Sequence, residues 1–231
     1  MLKVANLSFS YGRHRILRDV SFTVNDGETV GLIGKNGAGK TTLMKALATC
    51  LAAGEGSIAL DDADSLKTPL RYRRRIGYVA EKCPLYGDMT IKEYLKFRAR
   101  LKGERSLRLG RRVLDVMKLC GLTDRSASTI STLSMGYHKR ITLADALLRR
   151  PALLLIDDLF PGLDAEQRNN IRSILTSSSV HSAALISGHE LKEMAEICTR
   201  FVVLREGRVV DDISIKGMNA DDAVKLLEKA L

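Results

Sequence analysis

Apolar and polar positions change rhythm along the chain, and each change predicts an element. Val20, Phe22 and Val24 alternate with polar residues, the period of a strand with one buried face. The polar triplet Asn25-Asp26-Gly27 predicts a hairpin-type turn. Residues 29–33 then read as a buried strand, followed by a glycine-rich stretch and a helical pattern from Leu43. Residues 57–60 and 75–80 predict two further short strands. From about 84 to 148 the pattern turns helical. Thr90-Ile91-Lys92-Glu93 has the form of a capping box. Val113, Val116, Met117 and Cys120 recur at helical spacing. Strands return at 153–156, 183–186 and 201–204, with a helix over 165–175 between the first two. A short amphipathic helix is expected over 221–231. Continuous apolar strands alternating with helices indicate a parallel sheet covered on both faces.

The glycine-rich stretch carries chemistry. Gly34-Lys35-Asn36-Gly37-Ala38-Gly39-Lys40-Thr41 fits the pattern G-x-x-x-x-G-K-[ST] in full, and Thr42 follows it. It lies between a predicted strand and a predicted helix, the context a phosphate-binding loop needs. Glycines let the backbone wrap so that amide hydrogens face phosphate oxygens, and the following helix adds its positive end. Lys40 is expected to reach terminal phosphates, and the Thr41 hydroxyl to ligate magnesium. The strand at 153–156 runs into Asp157 and Asp158. A carboxylate at the end of a parallel strand faces the ligand crevice. Asp157 is thus placed to hold magnesium, and Asp158 to polarise an attacking water as general base.

Composition narrows the setting. The net charge is +10, from 37 basic and 27 acidic residues, which suits phosphates, anionic lipid or nucleic acid without choosing among them. Cys50, Cys83, Cys120 and Cys198 show no zinc-type spacing and fit reduced thiols in a cytosolic protein. No run approaches the roughly 18 apolar residues of a membrane span. The N-terminal residues have no signal-peptide pattern. A membrane role is therefore expected from the cytoplasmic side, through a partner. The basic run Arg71-Tyr72-Arg73-Arg74-Arg75 reads either as a contact for lipid headgroups, nucleic acid or an acidic coupling segment, or as a solvated helix end. Arg149 and Arg150 suit the end of the helix before them. His14, His138 and His181 have no assignable context.

In the order of its motifs the sequence resembles the ATP-binding domains of ABC transporters, over nearly its whole length. Tyr11 stands where that family stacks a ring on adenine, and Glu81 where it has the Q-loop glutamine. Leu133-Ser134-Met135-Gly136-Tyr137 matches the signature usually written LSGGQ. Asp164 looks like the D-loop aspartate, and His189 like the switch histidine that contacts the terminal phosphate. The signature also reads physically: Ser134 can cap a helix starting near Met135, and Gly136 keeps the approach open.

The resemblance implies an α/β fold: a P-loop NTPase core with a mostly parallel sheet, an N-terminal antiparallel β subdomain and an inserted α-helical subdomain. Residues 1–83 and 149–231 would form the core and β subdomain, and 84–148 the helical subdomain, within one domain spanning 1–231. It further implies ATP and Mg2+ as ligands, with Glu81 a third metal contact beside Thr41 and Asp157. Homodimers or heterodimers would close over ATP and drive a separate transmembrane permease from the inner face of the cell membrane. Three departures stand out. Asp158 replaces the usual glutamate and is one methylene shorter, which implies slower hydrolysis. Glu81 replaces glutamine. The signature reads LSMGY. The last two are similar to an exporter-like branch. A competing reading is an ATP-binding switch paired with a more active ATPase subunit. Nucleic-acid action is disfavoured, because the 84–148 segment has no heptad run or cysteine pair for a long coiled coil or zinc hook.

Overall fold

A computed structural model describes residues 1–231 except 53, 83, 105, 178, 179 and 181, and the side chains of 106 and 107. Cys83 and His181 therefore lie outside the described residues, as does the residue at the proposed 83/84 boundary.

The chain opens with two long antiparallel strands, β1 (Leu2–Tyr11) and β2 (His14–Val24). Leu2, Val4 and Leu7 of β1 and Leu17, Val20, Phe22 and Val24 of β2 are buried, while intervening positions face out. Next come β3 (Thr29–Ile33) and helix α1 (Lys40–Leu47), then β4 (Glu55–Leu60) and β5 (Ala63–Asp64). Helix α2 (Pro69–Arg75) precedes β6 (Ile76–Val79). Three helices follow, α3 (Ile91–Leu101), α4 (Ser106–Leu119) and α5 (Met135–Leu147), with a short 3₁₀ turn at Ile130–Thr132. The chain then alternates through β7 (Leu153–Asp157), α6 (Ala165–Thr176), β8 (Ala183–Ser187), α7 (Leu191–Ala195), β9 (Arg200–Arg205), β10 (Arg208–Ser214) and α8 (Ala220–Ala230).

Two sheets result. One has the order β2-β1-β4-β5 and is antiparallel throughout; the other has the order β10-β9-β3-β8-β7-β6 and is parallel except for the β10 edge. The parallel strands are apolar on both faces because each face meets its own core. Along β7, Leu153 and Leu155 join the core shared with α1 and the antiparallel sheet. Leu154 and Ile156 join the core shared with α3, α4 and α5. The same alternation divides Phe201 and Val203 from Val202 and Leu204 on β9. Gly31 of β3 is a glycine for lack of room: a Cβ there would lie 2.3 Å from the Phe201 ring.

Two expectations need correction. Asn25-Asp26-Gly27 does turn, with the Glu28 amide donating to the Asn25 carbonyl at 3.1 Å. It does not close a hairpin, since β2 pairs with β1 while β3 pairs with β8 and β9. A strand apolar on both faces belongs between parallel neighbours, not beside the one-sided β2. Arg75, expected to open a strand, instead ends α2, whose Pro69 supplies the fixed φ that favours a helix start. The basic run is thus a helix end. Arg71 pairs with Asp62, Arg75 with both Asp61 and Asp62, and Arg73 donates to the Thr49 hydroxyl at 2.8 Å.

Candidate nucleotide site

The segment from β3 to α1 makes the phosphate loop. Gly37 and Gly39 have φ of +81° and +106°, conformations that other residues reach only under strain. Gly34 abuts the Leu204 carbonyl so closely that a Cβ would lie 2.1 Å from it. Gly39 also caps α1 without any side chain, so the first helical amides stay available to an anion. The Lys40 ammonium folds back across the loop and donates to the Gly34 carbonyl at 2.6 Å and the Lys35 carbonyl at 3.3 Å. Burial pulls its pKa down, and the charges of Asp158 and Asp157 partly restore it.

The parallel sheet delivers the opposite wall. β7 ends in Asp157, which is buried, and pairs in register with Ser187 at the end of β8. Asp157 Oδ1 accepts from the Ser187 hydroxyl at 2.5 Å and lies 3.4 Å from the Thr41 hydroxyl. Its other oxygen, Oδ2, is buried with no partner. Burial raises its pKa, against the hydrogen bonds from Ser187 and Thr41. A buried carboxylate oxygen with no proton donor fits a cation. Among the described residues no group of three or more His, Cys, Asp and Glu side chains forms a metal cage by itself. A hydroxyl, one carboxylate and ligand oxygens suit Mg2+, which keeps oxygen ligands and few protein contacts.

Asp158 follows in the left-handed region at φ +54°, a conformation aspartate tolerates better than most residues. Its amide donates to the Ser187 carbonyl at 3.0 Å. Its Oδ1 and the Glu190 Oε2 are both buried without partners and flank Gly188. Burial first, then the Glu190 charge, push the Asp158 pKa up. Lys40, Thr41, Thr42, Asn36, Gly37, Gly39, Glu81, Asp157, Asp158 and His189 line one cavity of about 360 Å³. Gly34, Lys35 and Ala38 border a second cavity behind the loop, of about 610 Å³.

Other expected residues stand elsewhere. Tyr11 is half exposed at the end of β1, edge-on to Phe9 at 4.8 Å, and does not line the phosphate cavity; Ile16 of β2 does. Ser134 occupies the N-cap position of α5, but its hydroxyl makes no capping hydrogen bond. Gly136 does not keep an approach open. It is buried against Gln167, whose side chain a Cβ would meet at 2.7 Å. Asp164 caps α6, accepting from the Gln167 amide at 2.8 Å in a complete capping box.

Sequence reasoning missed two residues here. Ser187, which clamps Asp157, was detectable as the polar end of an apolar strand adjacent to β7. Lys139 of α5 is 5% exposed, yet has no carboxylate partner among the described residues. Its ammonium donates to the Asp158 carbonyl at 3.1 Å and the Glu81 carbonyl at 3.4 Å. It therefore ties the helical subdomain to two residues of the cavity. No periodicity marks such a lysine, because its partners are backbone atoms remote in sequence.

Comparisons with known proteins agree with this geometry. The family described as ABC transporter matches residues 17–160. The chain is 33% identical over 209 residues to the uncharacterized ABC transporter ATP-binding protein YxlF of Bacillus subtilis (strain 168), covering 90% of this chain and 69% of that protein. It is 32% identical over 198 residues to the ABC transporter ATP-binding protein NatA of the same organism, covering 85% and 80%. A solved structure of an ATP binding subunit of an ABC transporter superposes with a TM-score of 0.86 at 29% identity, covering 99% of each chain. A glycine-rich loop between strand and helix, an acid-tipped parallel sheet and these likenesses lead to one conclusion: the chain belongs to the ABC transporter family, among its ATP-binding ATPases.

Proposed function

We propose that this chain binds ATP with Mg2+, closes with a second ATP-binding subunit over two nucleotides, and thereby drives a separate transmembrane permease. It would act at the inner face of the membrane through that partner. One observation supports this most: the phosphate loop, both aspartates and His189 converge on one cavity, yet no signature residue from 133–137 lines it. The cavity thus offers half of the family's composite site. Among the described residues no helix is long and apolar enough to cross a membrane.

The chemistry is phosphoryl transfer to water. Mg2+, when bound, would supply positive charge against the terminal phosphates. Thr41 and Asp157 would hold it, and Glu81, which lines the same cavity, would be a third contact. The loop amides and the α1 N-terminus hold the phosphates. Lys40 exchanges its loop carbonyls for phosphate oxygens. Asp158 accepts the proton of the attacking water as its oxygen bonds the γ-phosphorus and the bond to the bridging oxygen breaks, leaving ADP and phosphate. His189 contacts the terminal phosphate and offsets charge there. Ser134 and Asp164 would act from the facing subunit's side.

The test is the mass of the purified chain in solution, using Asp158→Asn to hold ATP unhydrolysed. A shift from monomer to dimer with ATP, absent in Lys40→Ala, is the expected result. No nucleotide affinity, or a mass indifferent to ATP, overturns the reading. Co-purification with a six-span membrane subunit encoded beside it tests the permease step.

A further inference from the structure

At the far end of β7 from Asp157 lies a further, differently built cavity, of about 520 Å³. That volume falls within the usual range for small-ligand sites, roughly 300–1,000 Å³. Five arginines line it: Arg108, Arg111 and Arg112 of α4, and Arg149 and Arg150 just after α5. Among the described residues two carboxylates, Glu104 and Asp115, share the wall. Residues 108, 111 and 112 stand at i, i+3 and i+4, so the helix turns all three guanidinium groups to one face. Like charges at that spacing repel, and the two carboxylates offset five cations only in part. The guanidinium groups of Arg108, Arg111 and Arg150 have no hydrogen bond or ion pair among the described residues, while the Arg150 amide donates to the Leu147 carbonyl at 3.0 Å.

The cavity is held in shape by its own cations. Arg112 donates through Nε to the Leu148 carbonyl at 2.6 Å and through a second nitrogen to the Leu147 carbonyl, closing the last turn of α5. Arg149 donates to the Lys102 carbonyl. Arg150 adopts φ +51°, a left-handed conformation that is uncommon for a residue with a side chain. Burial, and then the Arg150 charge, pull the Arg112 pKa down. A solvated basic face would spread such charges apart; here they converge on one concavity, two of them anchored to backbone. Arginine rather than lysine supplies planar forks that match phosphate oxygens in pairs. Five residues of β7 separate this cavity from the nucleotide site, about 16 Å of strand.

We propose that this arginine-lined cavity binds a phosphate group of two or more negative charges, as a free anion or as the exposed headgroup of an anionic lipid. The site is separate from the nucleotide cleft. A ligand there would touch the arginine that holds the C-terminal carbonyls of α5, the helix whose other end carries the signature.

The experiment uses the full chain with Lys40→Ala, so that the phosphate loop does not compete. Inorganic pyrophosphate is titrated calorimetrically, and vesicles of phosphatidic acid in phosphatidylcholine are sedimented with the protein. At least one probe is expected to bind. Arg108→Ser with Arg111→Ser, two exposed changes on a helix surface, should weaken it on the order of a hundredfold, since each lost charge-assisted contact is worth about tenfold. Pyrophosphate binding alone identifies a free anion, and vesicle binding alone a headgroup; both support the site. Binding of neither probe, binding indifferent to the two substitutions, or capture of duplex RNA alone overturns it. The thermal unfolding midpoint of the double variant, unchanged from its Lys40→Ala parent, shows that a lost signal is not a lost fold.

Discussion

The Thr41 hydroxyl lies 3.4 Å from Asp157 Oδ1, although 116 positions separate the two residues in sequence. The phosphate loop and the end of β7 thus meet where one carboxylate oxygen, Asp157 Oδ2, is left without a partner. Asp157→Asn should remove the magnesium dependence of ATP affinity and cut turnover by roughly a hundredfold or more. Titrations with and without a chelator measure this. A variant whose ATP binding still responds fully to magnesium would show that the cation sits elsewhere.

Asp158 Oδ1 is buried, unpartnered and close to Glu190 Oε2. Lengthening the side chain should carry the carboxylate toward the attacking water. Asp158→Glu is therefore expected to raise kcat, by as much as about a hundredfold, since a misplacement near 1 Å can cost that much. Steady-state hydrolysis decides it, and equal or lower turnover sinks the idea.

Lys139 holds the carbonyls of Asp158 and Glu81 from the helical subdomain. Lys139→Met keeps the stem and removes the donors. The expected result is kcat lower by roughly ten- to a hundredfold with KM little changed, and partial recovery in Lys139→Arg. A lower unfolding midpoint with unchanged kcat would confine Lys139 to packing.

Where the two sheets join, Arg200 at the start of β9 donates to Glu28 at 2.7 and 3.0 Å, to Asp212 at 2.7 Å and to the Thr23 carbonyl at 2.7 Å. The Arg200 hydrogen bond is the main cause holding the Glu28 pKa below its ordinary value of 4.5. A depressed carboxylate stabilises the fold above that ordinary value, and the contribution is lost as pH falls through the lowered one. Glu28→Gln should cost about 1–2 kcal/mol at pH 7, as for a hydrogen-bonded charged pair. The gap to wild type should close below pH 4.5. Denaturant midpoints at pH 7 and pH 3.5 test this; a gap independent of pH removes the electrostatic account.

Much of this architecture was readable from spacing alone. The strands at 153–156, 183–186 and 201–204 declared themselves because burial on both faces requires unbroken apolar runs. The capping box at Thr90 and Glu93 is local chemistry, and its amide contacts of 2.9 and 3.3 Å follow from residues three apart. Failures came where partners are distant. Nothing in Asn25-Asp26-Gly27 tells whether its flanking strands pair with each other; the answer depends on β8 and β9. Gly136 packs against Gln167, and Lys139 owes its place to two backbone carbonyls. The arginines at 108, 111 and 112 show one helical face, but α5 ending beside them is a tertiary fact.

With its ammonium already engaged by the Gly34 carbonyl, Lys40 does not wait as a free cation. On the proposed function, an arriving triphosphate would have to trade places with a peptide oxygen, so its affinity would measure a difference between two acceptors rather than the strength of one.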